Sequence, residues 1–280
     1  MDALLEVREL AVSYRHDHVL CCRAVQSVNF KLARGEVLGL MGESGCGKST
    51  LALAILGLIE RGRASVSGSV IFRGESLLAL GDRSLEQIRG AAISMVYQEP
   101  GIALSPVLRV GAQIAEVVRA HRRWSWEKCR EEAHAVLARV GLEPTSRIFA
   151  AYPHQLSGGQ LQRVVLAQAI VCGPALVIAD EPTASLDARS QASFIALLRD
   201  LKKRSGMAML LISHTPEIQA SLADRLMVMR EGRIVEQGDF DVLYANPQDS
   251  YTRALLRRPS TGEDLEPMER RRLAHAQIPV

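Results

Sequence analysis

The stretch GESGCGKS, Gly42 to Ser49, places a lysine and a hydroxyl behind three glycines, a spacing suited to holding phosphate. Gly42, Gly45 and Gly47 let the backbone wrap so that successive N–H groups point inward at phosphate oxygens. Lys48 can then reach a β and a γ phosphate, and the Ser49 hydroxyl is placed to ligate Mg²⁺. The loop lies between the apolar run EVLGLM and the helical run STLALAILGL, so it reads as more than a glycine-rich turn with an exposed lysine. A second pair of chemical groups closes the run ALVIAD: Asp180 and then Glu181, two carboxylates at a strand end, where α/β proteins assemble ligands. Asp180 would hold Mg²⁺ through its water shell, and Glu181 could orient or deprotonate an attacking water. Without the glycine loop, these would read as two solvent-facing acids.

LSGGQ, Leu156 to Gln160, repeats the theme with a hydroxyl, two glycines and a helix start. One nucleotide has a single γ phosphate, and the first loop already wraps it on one side. The economical reading is that this second loop serves a nucleotide held by another copy of the domain.

The elements that must position these groups follow from periodicity. Short alternating runs over residues 1–38, continued by GSVIFRGESL from Gly68, predict an antiparallel sheet feeding a central strand. Ala133, Val136, Leu137 and Val140 at helical spacing predict a helix from Trp126, capped by Ser125 and stopped by Gly141. Residues 99–172 therefore read as a mainly helical insert. ALVIAD (175–180) and MAMLLIS (207–213) are continuous apolar runs of the kind found in buried parallel strands, and Phe194, Leu197, Leu198 and Leu201 make the crossover helix between them, ending near Gly206. The fold class expected is α/β. A polar tail is expected from residue 259 to residue 280, and its Arg270, Arg271 and Arg272 read as solvated, with anionic lipid as the alternative.

Taken together, LSGGQ, GESGCGKS and VIADEPTASLD resemble the ATP-binding cassette ATPases, and the resemblance covers roughly residues 4–258. It implies a RecA-like P-loop NTPase core with an antiparallel β subdomain and a helical subdomain, binding ATP and Mg²⁺ between two head-to-tail subunits. The nucleotide-binding set it implies is Gly42, Glu43, Ser44, Gly45, Cys46, Gly47, Lys48, Ser49 and Thr50, with Tyr14 matching the aromatic that stacks on adenine. Gln98, in VYQEP, matches the glutamine that senses Mg²⁺ and the lytic water. Ser157, Gly158 and Gly159, followed by Gln160, match the residues that close on the partner's γ phosphate. Asp187 matches the aspartate that couples the two sites, and its place before a helix also fits an N-cap. His214 matches the histidine that contacts the γ phosphate. The catalytic set is thus Glu181, His214, Gln98 and Lys48, and the metal set Ser49, Gln98 and Asp180.

Within that family, YQEPGIALSPVLRVGAQIAE and the late GRIVEQGDFDVLYANPQDSYTRALL look like ATP-binding subunits of peptide and nickel importers. Ser105 before Pro106, Gln160-Leu161 and Thr215 after His214 depart from the common pattern, and the C-terminal cysteine cluster of some relatives is missing. The implied partners are transmembrane permease subunits, a second ATP-binding subunit that is a copy or a paralogue, and indirectly a solute-binding protein. The implied place is the cytoplasmic side of the inner membrane, held peripherally. The alternative is a soluble cassette ATPase of a non-transport complex, such as a carbon-phosphorus lyase accessory. A kinase or GTPase would not explain LSGGQ.

Bulk properties agree with this frame without selecting it. With 34 basic and 31 acidic side chains the net charge of +3 gives no nucleic-acid footprint. LALAILGLI, near the first loop, falls far short of the roughly 20 apolar residues that cross a bilayer. The first ten residues carry Asp2, Glu6 and Arg8 and do not read as a secretory signal. Five cysteines without paired spacing are expected to be reduced thiols, and Cys46 reads as a small loop residue.

Overall fold

A computed structural model describes residues 3–16, 19–60 and 62–256. The chain forms two compact units, one built from the segment up to Ala79 and the segment from Leu210, the other from Leu80–Met209.

The first unit opens with β1 (Ala3–His16) and β2 (Val19–Ala33), long antiparallel strands that pair Val7 with Phe30 and Tyr14 with Cys22. Their alternation works as expected, because Leu5, Val7, Leu10 and Val12 are all buried. Next come β3 (Val37–Met41), α1 (Lys48–Ile55), β4 (Ala64–Phe72) and the short β5 (Glu75–Ser76). β4 pairs antiparallel with the other edge of β1, giving a sheet in the order β2-β1-β4-β5. All five residues of β3 are buried, as a central strand covered on both faces requires.

In the second unit the chain runs through α2 (Asp82–Ile88), β6 (Ile93–Val96), α3 (Pro100–Ala103), α4 (Val110–His121), α5 (Trp126–Arg139), α6 (Thr145–Ala150), α7 (Gly158–Ile170), β7 (Leu176–Asp180) and α8 (Ala188–Ser205). β6 and β7 are parallel, pairing Ile93 with Leu176 and Val96 with Ala179. The predicted helix from Trp126 forms: Ser125 Oγ accepts from Lys128 N at 3.3 Å, Ala133, Val136 and Leu137 are buried, and Gly141 follows at φ +71°. α8 is the predicted crossover helix, with Phe194, Leu198 and Leu201 buried and left-handed Gly206 at its end. Residues 99–172, expected as a helical subdomain, carry α3 to α7, while the compact unit extends beyond them on both sides to take in α2, β6, β7 and α8.

The chain re-enters the first unit along β8 (Ala208–Ile212), then forms α9 (Pro216–Leu222), β9 (Arg225–Arg230), β10 (Arg233–Asp239), α10 (Phe240–Ala245) and α11 (Ser250–Leu256). β9 runs parallel to β3, and β10 folds back antiparallel on β9. The strand ends are tied by Gln219, a fully buried side chain of α9. Its amide nitrogen reaches three carbonyls: Leu40 at 3.4 Å, Leu211 at 3.2 Å and Ser213 at 3.2 Å. Its Oε1 sits against Gly39, where an added Cβ would come within 2.2 Å of it. The polar tail expected at 259–280 lies outside the described residues.

Candidate functional site: a phosphate loop and a glycine-opened helix

In the first unit the phosphate loop leaves the buried strand β3 and enters α1 through Gly47, the helix N-cap. Gly47 stands at φ +109°, and a Cβ there would meet Ala24 O at 2.0 Å. Both facts require glycine. A glycine cap brings no side-chain acceptor, so the first N–H groups of α1, those of Lys48, Ser49 and Thr50, are left to a ligand, and Leu51 N is the first to bond back to Gly47 O (2.9 Å). Lys48 is only 8% exposed; its Nζ donates to Gly42 O and Glu43 O, both at 2.8 Å, and lies 3.7 Å from Cys46 Sγ. Glu43, Ser44 and Gly45 form the exposed outer arc. Burial pushes the Cys46 thiol up, and the neighbouring Lys48 offsets this only in part, so Cys46 is a neutral filler at pH 7.

Two further candidates stand at strand ends of this unit. Tyr14, half-buried, is near the end of β1 between Cys22 of β2 and Ala64 of β4. His214 follows β8 and is exposed, while buried Ser213 fixes the turn beneath it: Ser213 N donates to Leu40 O at 3.2 Å and its Oγ accepts from Thr215 N at 3.2 Å.

In the second unit, Asp180 ends β7 at 7% exposure and Glu181 follows at 9%. Glu181 has φ +45°, a left-handed backbone that costs a side-chain-bearing residue of order 1 kcal/mol or more. A buried carboxylate held in a disfavoured conformation is where a reacting group is expected. Glu181 O accepts from Ala184 N at 3.2 Å, and Thr183 O from Leu186 N at 3.1 Å, turning the chain towards Asp187. Asp187 is the N-cap of α8: Ser190 donates to it from N at 3.0 Å and from Oγ at 2.7 Å. Those bonds from Ser190 hold the Asp187 carboxyl below the usual carboxylate range.

The glycine-opened helix is α7. Ser157 and Gln160 close a reciprocal capping box, Gln160 N donating to Ser157 Oγ (3.3 Å) and Ser157 N to Gln160 Oε1 (3.0 Å). This fixes the helix start and turns exposed Gly158 outward, where an added Cβ would meet no atom within 4 Å. Gly159 faces Ser190, whose Oγ would lie 3.4 Å from a Cβ added at 159, so the starts of α7 and α8 adjoin. Ser157, Gly159, Gln160, Arg163, Arg189 and Ser190 line one cleft of about 350 Å³. Gln98 is exposed just beyond β6, and the carbonyl before it, Tyr97 O, accepts from buried Gln162 of α7 at 3.5 Å. Within each unit, then, the sequence-selected residues cluster: Gly42–Thr50 in the first, and Ser157–Gln160 beside the Asp187 cap in the second.

Residues 25–184 match the family model described as ABC transporter. The chain belongs to the ABC transporter family. Relatives include a Sinorhizobium fredii chain named a probable peptide ABC transporter ATP-binding protein, 44% identical over 91% of this chain and 76% of its own. A dipeptide transport ATP-binding protein of Haemophilus influenzae is 43% identical over 91% of this chain and 77% of its own. Among solved structures, an ATP-binding cassette captured as a post-hydrolysis dimer with ADP and Pi superposes with a TM-score of 0.75 at 27% identity, covering 84% of this chain and 98% of that one. As an ABC cassette the chain has the α/β fold of P-loop NTPases and hydrolyses ATP.

Several residues that shape this ABC cassette carry no sequence signal of their own. Gln162 and Gln219 look like helix-surface glutamines, yet both are fully buried and bond to backbone 65 and 179 residues away. Arg163 likewise anchors to Val140 O at 2.5 Å and Ser193 Oγ at 2.8 Å. Gln113 grips the loop before α4 by exchanging bonds with Ser105 (N to Oε1 2.8 Å, Nε2 to O 3.0 Å) and donating to Leu108 O at 3.0 Å.

Proposed function

We propose that this chain is the ATP-hydrolysing subunit of a peptide importer, working as a head-to-tail pair of cassettes on the cytoplasmic side of the inner membrane. The observation that carries the paired arrangement is Gly158. It opens a capped helix, is exposed, and has room for a Cβ, so nothing in its own surroundings demands glycine. The demand is best supplied from outside, by a phosphate closing on the N–H groups of α7. The partner is a second copy or a paralogue. The peptide assignment is supported by the names of the relatives.

In this reading Lys48 and the amides of Gly45–Thr50 hold the β and γ phosphates, and Tyr14 stacks on adenine. Ser49, Gln98 and Asp180 would hold Mg²⁺, which when bound neutralises phosphate charge. Asp180 and Ser49 offer hard oxygen donors, and among the described residues no group of three His, Cys, Asp or Glu forms a cage. Hard oxygen donors of this kind suit Mg²⁺. Glu181 takes the proton of the attacking water, His214 contacts the γ phosphate, Gln98 senses the ion and the water, and Asp187 couples the paired sites.

Among the described residues no helix is long and apolar enough to cross a membrane; in this reading a separate permease supplies the path. The apolar segment 102–114 divides in two. Val110 and Ile114 are core residues of α4, whereas Ile102 of α3 and Val107, on the loop that Gln113 stiffens, are 80% and 77% exposed. This exposed half is the proposed receiving surface for the permease, with a solute-binding protein acting beyond it. Replacing Ile102 and Val107 with Asp is expected to abolish peptide-stimulated ATPase in reconstituted vesicles while the isolated chain binds ATP normally. Stimulation retained at the wild-type level would remove this segment from the proposal. Gly158→Ala is expected to leave the thermal midpoint unchanged or raised, since Ala suits a helix better, yet to cut ATP turnover by about tenfold, the effect of displacing a phosphate by a fraction of an ångström. Turnover at the wild-type rate would argue against the sandwich.

The test of the whole reading is co-expression with permease subunits: the chain should co-purify with them from membranes, and its ATPase should respond to peptide with a binding protein. A chain recovered free of membrane proteins, with an unresponsive ATPase, would overturn it.

A further inference from the structure

The late segment from Pro247 to Leu256 ends the described chain as α11, and the roles above do not account for it. Its start is strongly fixed. Glu236 of β10 accepts from Gln248 N (2.8 Å) and Asp249 N (3.2 Å), and Asp249 Oδ1 accepts from Tyr251 N (2.8 Å) and Thr252 N (3.3 Å). Thr252, Leu255 and Leu256 are buried, so the helix is docked on that side. Tyr251, half-buried at the edge of this docked face, has its ring 5.1 Å from the Arg230 guanidinium. Its hydroxyl accepts a hydrogen bond from Glu43 N at 3.0 Å.

Glu43 N belongs to the peptide group whose oxygen is Gly42 O, and that oxygen accepts from Lys48 Nζ at 2.8 Å. One peptide of the phosphate loop is therefore gripped at both ends, by the lysine at its carbonyl and by Tyr251 at its N–H. Such bonds polarise one another through the shared amide. If the lysine exchanges its bond to Gly42 O for one to a phosphate, the Tyr251 hydroxyl still holds the N–H end of that peptide. Glu43, Ser44, Gly45 and Cys46 line a cleft of about 470 Å³ together with Arg230, Glu231, Ser250 and Tyr251, so the start of the helix borders the outer arc of the loop. Burial raises the Tyr251 hydroxyl above the ordinary tyrosine range, so it stays protonated and neutral through the pH range of ATP turnover.

We propose that Tyr251 is a positioning residue for the phosphate loop, fixing the Gly42–Glu43 peptide so that Lys48 is free to exchange its carbonyl bonds for nucleotide phosphate. The proposal rests on the reading that Gly42–Ser49 holds the phosphates of ATP, and its test separates the two. Tyr251→Phe removes the hydroxyl and keeps the ring, and Tyr251→Ala removes both. Three quantities are measured on the full chain: the thermal midpoint, the rate of Cys46 alkylation without nucleotide (followed by peptide mass spectrometry), and equilibrium binding of a fluorescent ATP analogue. The expected result for Tyr251→Phe is a midpoint close to wild type, Cys46 alkylation faster by about threefold or more, and analogue affinity lower by about two- to tenfold, the range one lost hydrogen bond supplies. A change in only one of the last two, or in neither, overturns the proposal. So does an affinity loss in Phe and Ala variants that merely tracks a falling midpoint, because that is a docking role for the ring. If Lys48→Ala keeps wild-type affinity, the phosphate reading itself fails, whatever the alkylation rate of Tyr251→Phe.

Discussion

Replacing Glu181 with Gln is expected to leave ATP binding intact while slowing hydrolysis by about a thousandfold, the contribution of a well-placed general base. The substitution is close to isosteric, and Gln adopts the φ of +45° at this position no more easily than Glu, so the local strain is retained. The buried position, 9% exposed, accepts a neutral amide at least as readily as a carboxylate, and the thermal midpoint should not fall. With ATP bound and unable to turn over, the chain should accumulate as a closed dimer. Phosphate release and gel filtration with and without ATP measure both halves. Fast turnover would take the proton-abstracting role away from Glu181, and a chain that stays monomeric with ATP beside its natural partner would count against the head-to-tail pair.

Lys48→Ala acts earlier, on binding. The Nζ gives two bonds of 2.8 Å within the loop, and in the proposed cycle it exchanges them for charge-assisted bonds to phosphate. Two such bonds lost together should weaken ATP binding by about a hundredfold. The cost falls on affinity first, in contrast to Glu181→Gln, and equilibrium titration with a fluorescent nucleotide distinguishes the two. An unchanged dissociation constant would refute the assigned contact.

The phosphate loop, the helix start at LSGGQ, the crossover helix and both apolar strands were legible because each is specified by neighbours in sequence. Gly47 needs its φ, Ser157 and Gln160 cap each other three residues apart, and Phe194, Leu198 and Leu201 fall on one helical face. Asp187, too, could be read as a cap for the same reason. What sequence could not supply is the set of side chains that bond to distant backbone. The hydroxyl of Tyr251 meets an amide 208 residues away, and Gln162 and Gln219 bury polar amides at positions a periodic reading assigns to a helix surface. In residues 102–114 the apolar side chains do not all share one fate: Ile102 of α3 and Val107 of the loop held by Gln113 are exposed, while Val110 and Ile114 of α4 are buried. Glu181 was selected by its place after β7, but its left-handed backbone has no composition signal, because a non-glycine residue adopts that conformation only when the surrounding turn imposes it.

The contact between Gly39 and Gln219 makes two distant positions a single unit of change. With Oε1 occupying the space a Cβ at 39 would need, and the amide nitrogen shared among three strand-end carbonyls, neither residue can be exchanged alone without displacing the other or leaving carbonyls unanswered. A shorter residue at 219 would remove the tightest clash with alanine at 39 and leave only the Leu226 Cδ1, 3.0 Å from the added Cβ, to shift, so the two substitutions should cost less together than their separate costs add up to. Laboratory diversification of this chain should therefore recover variants at 39 and 219 in pairs.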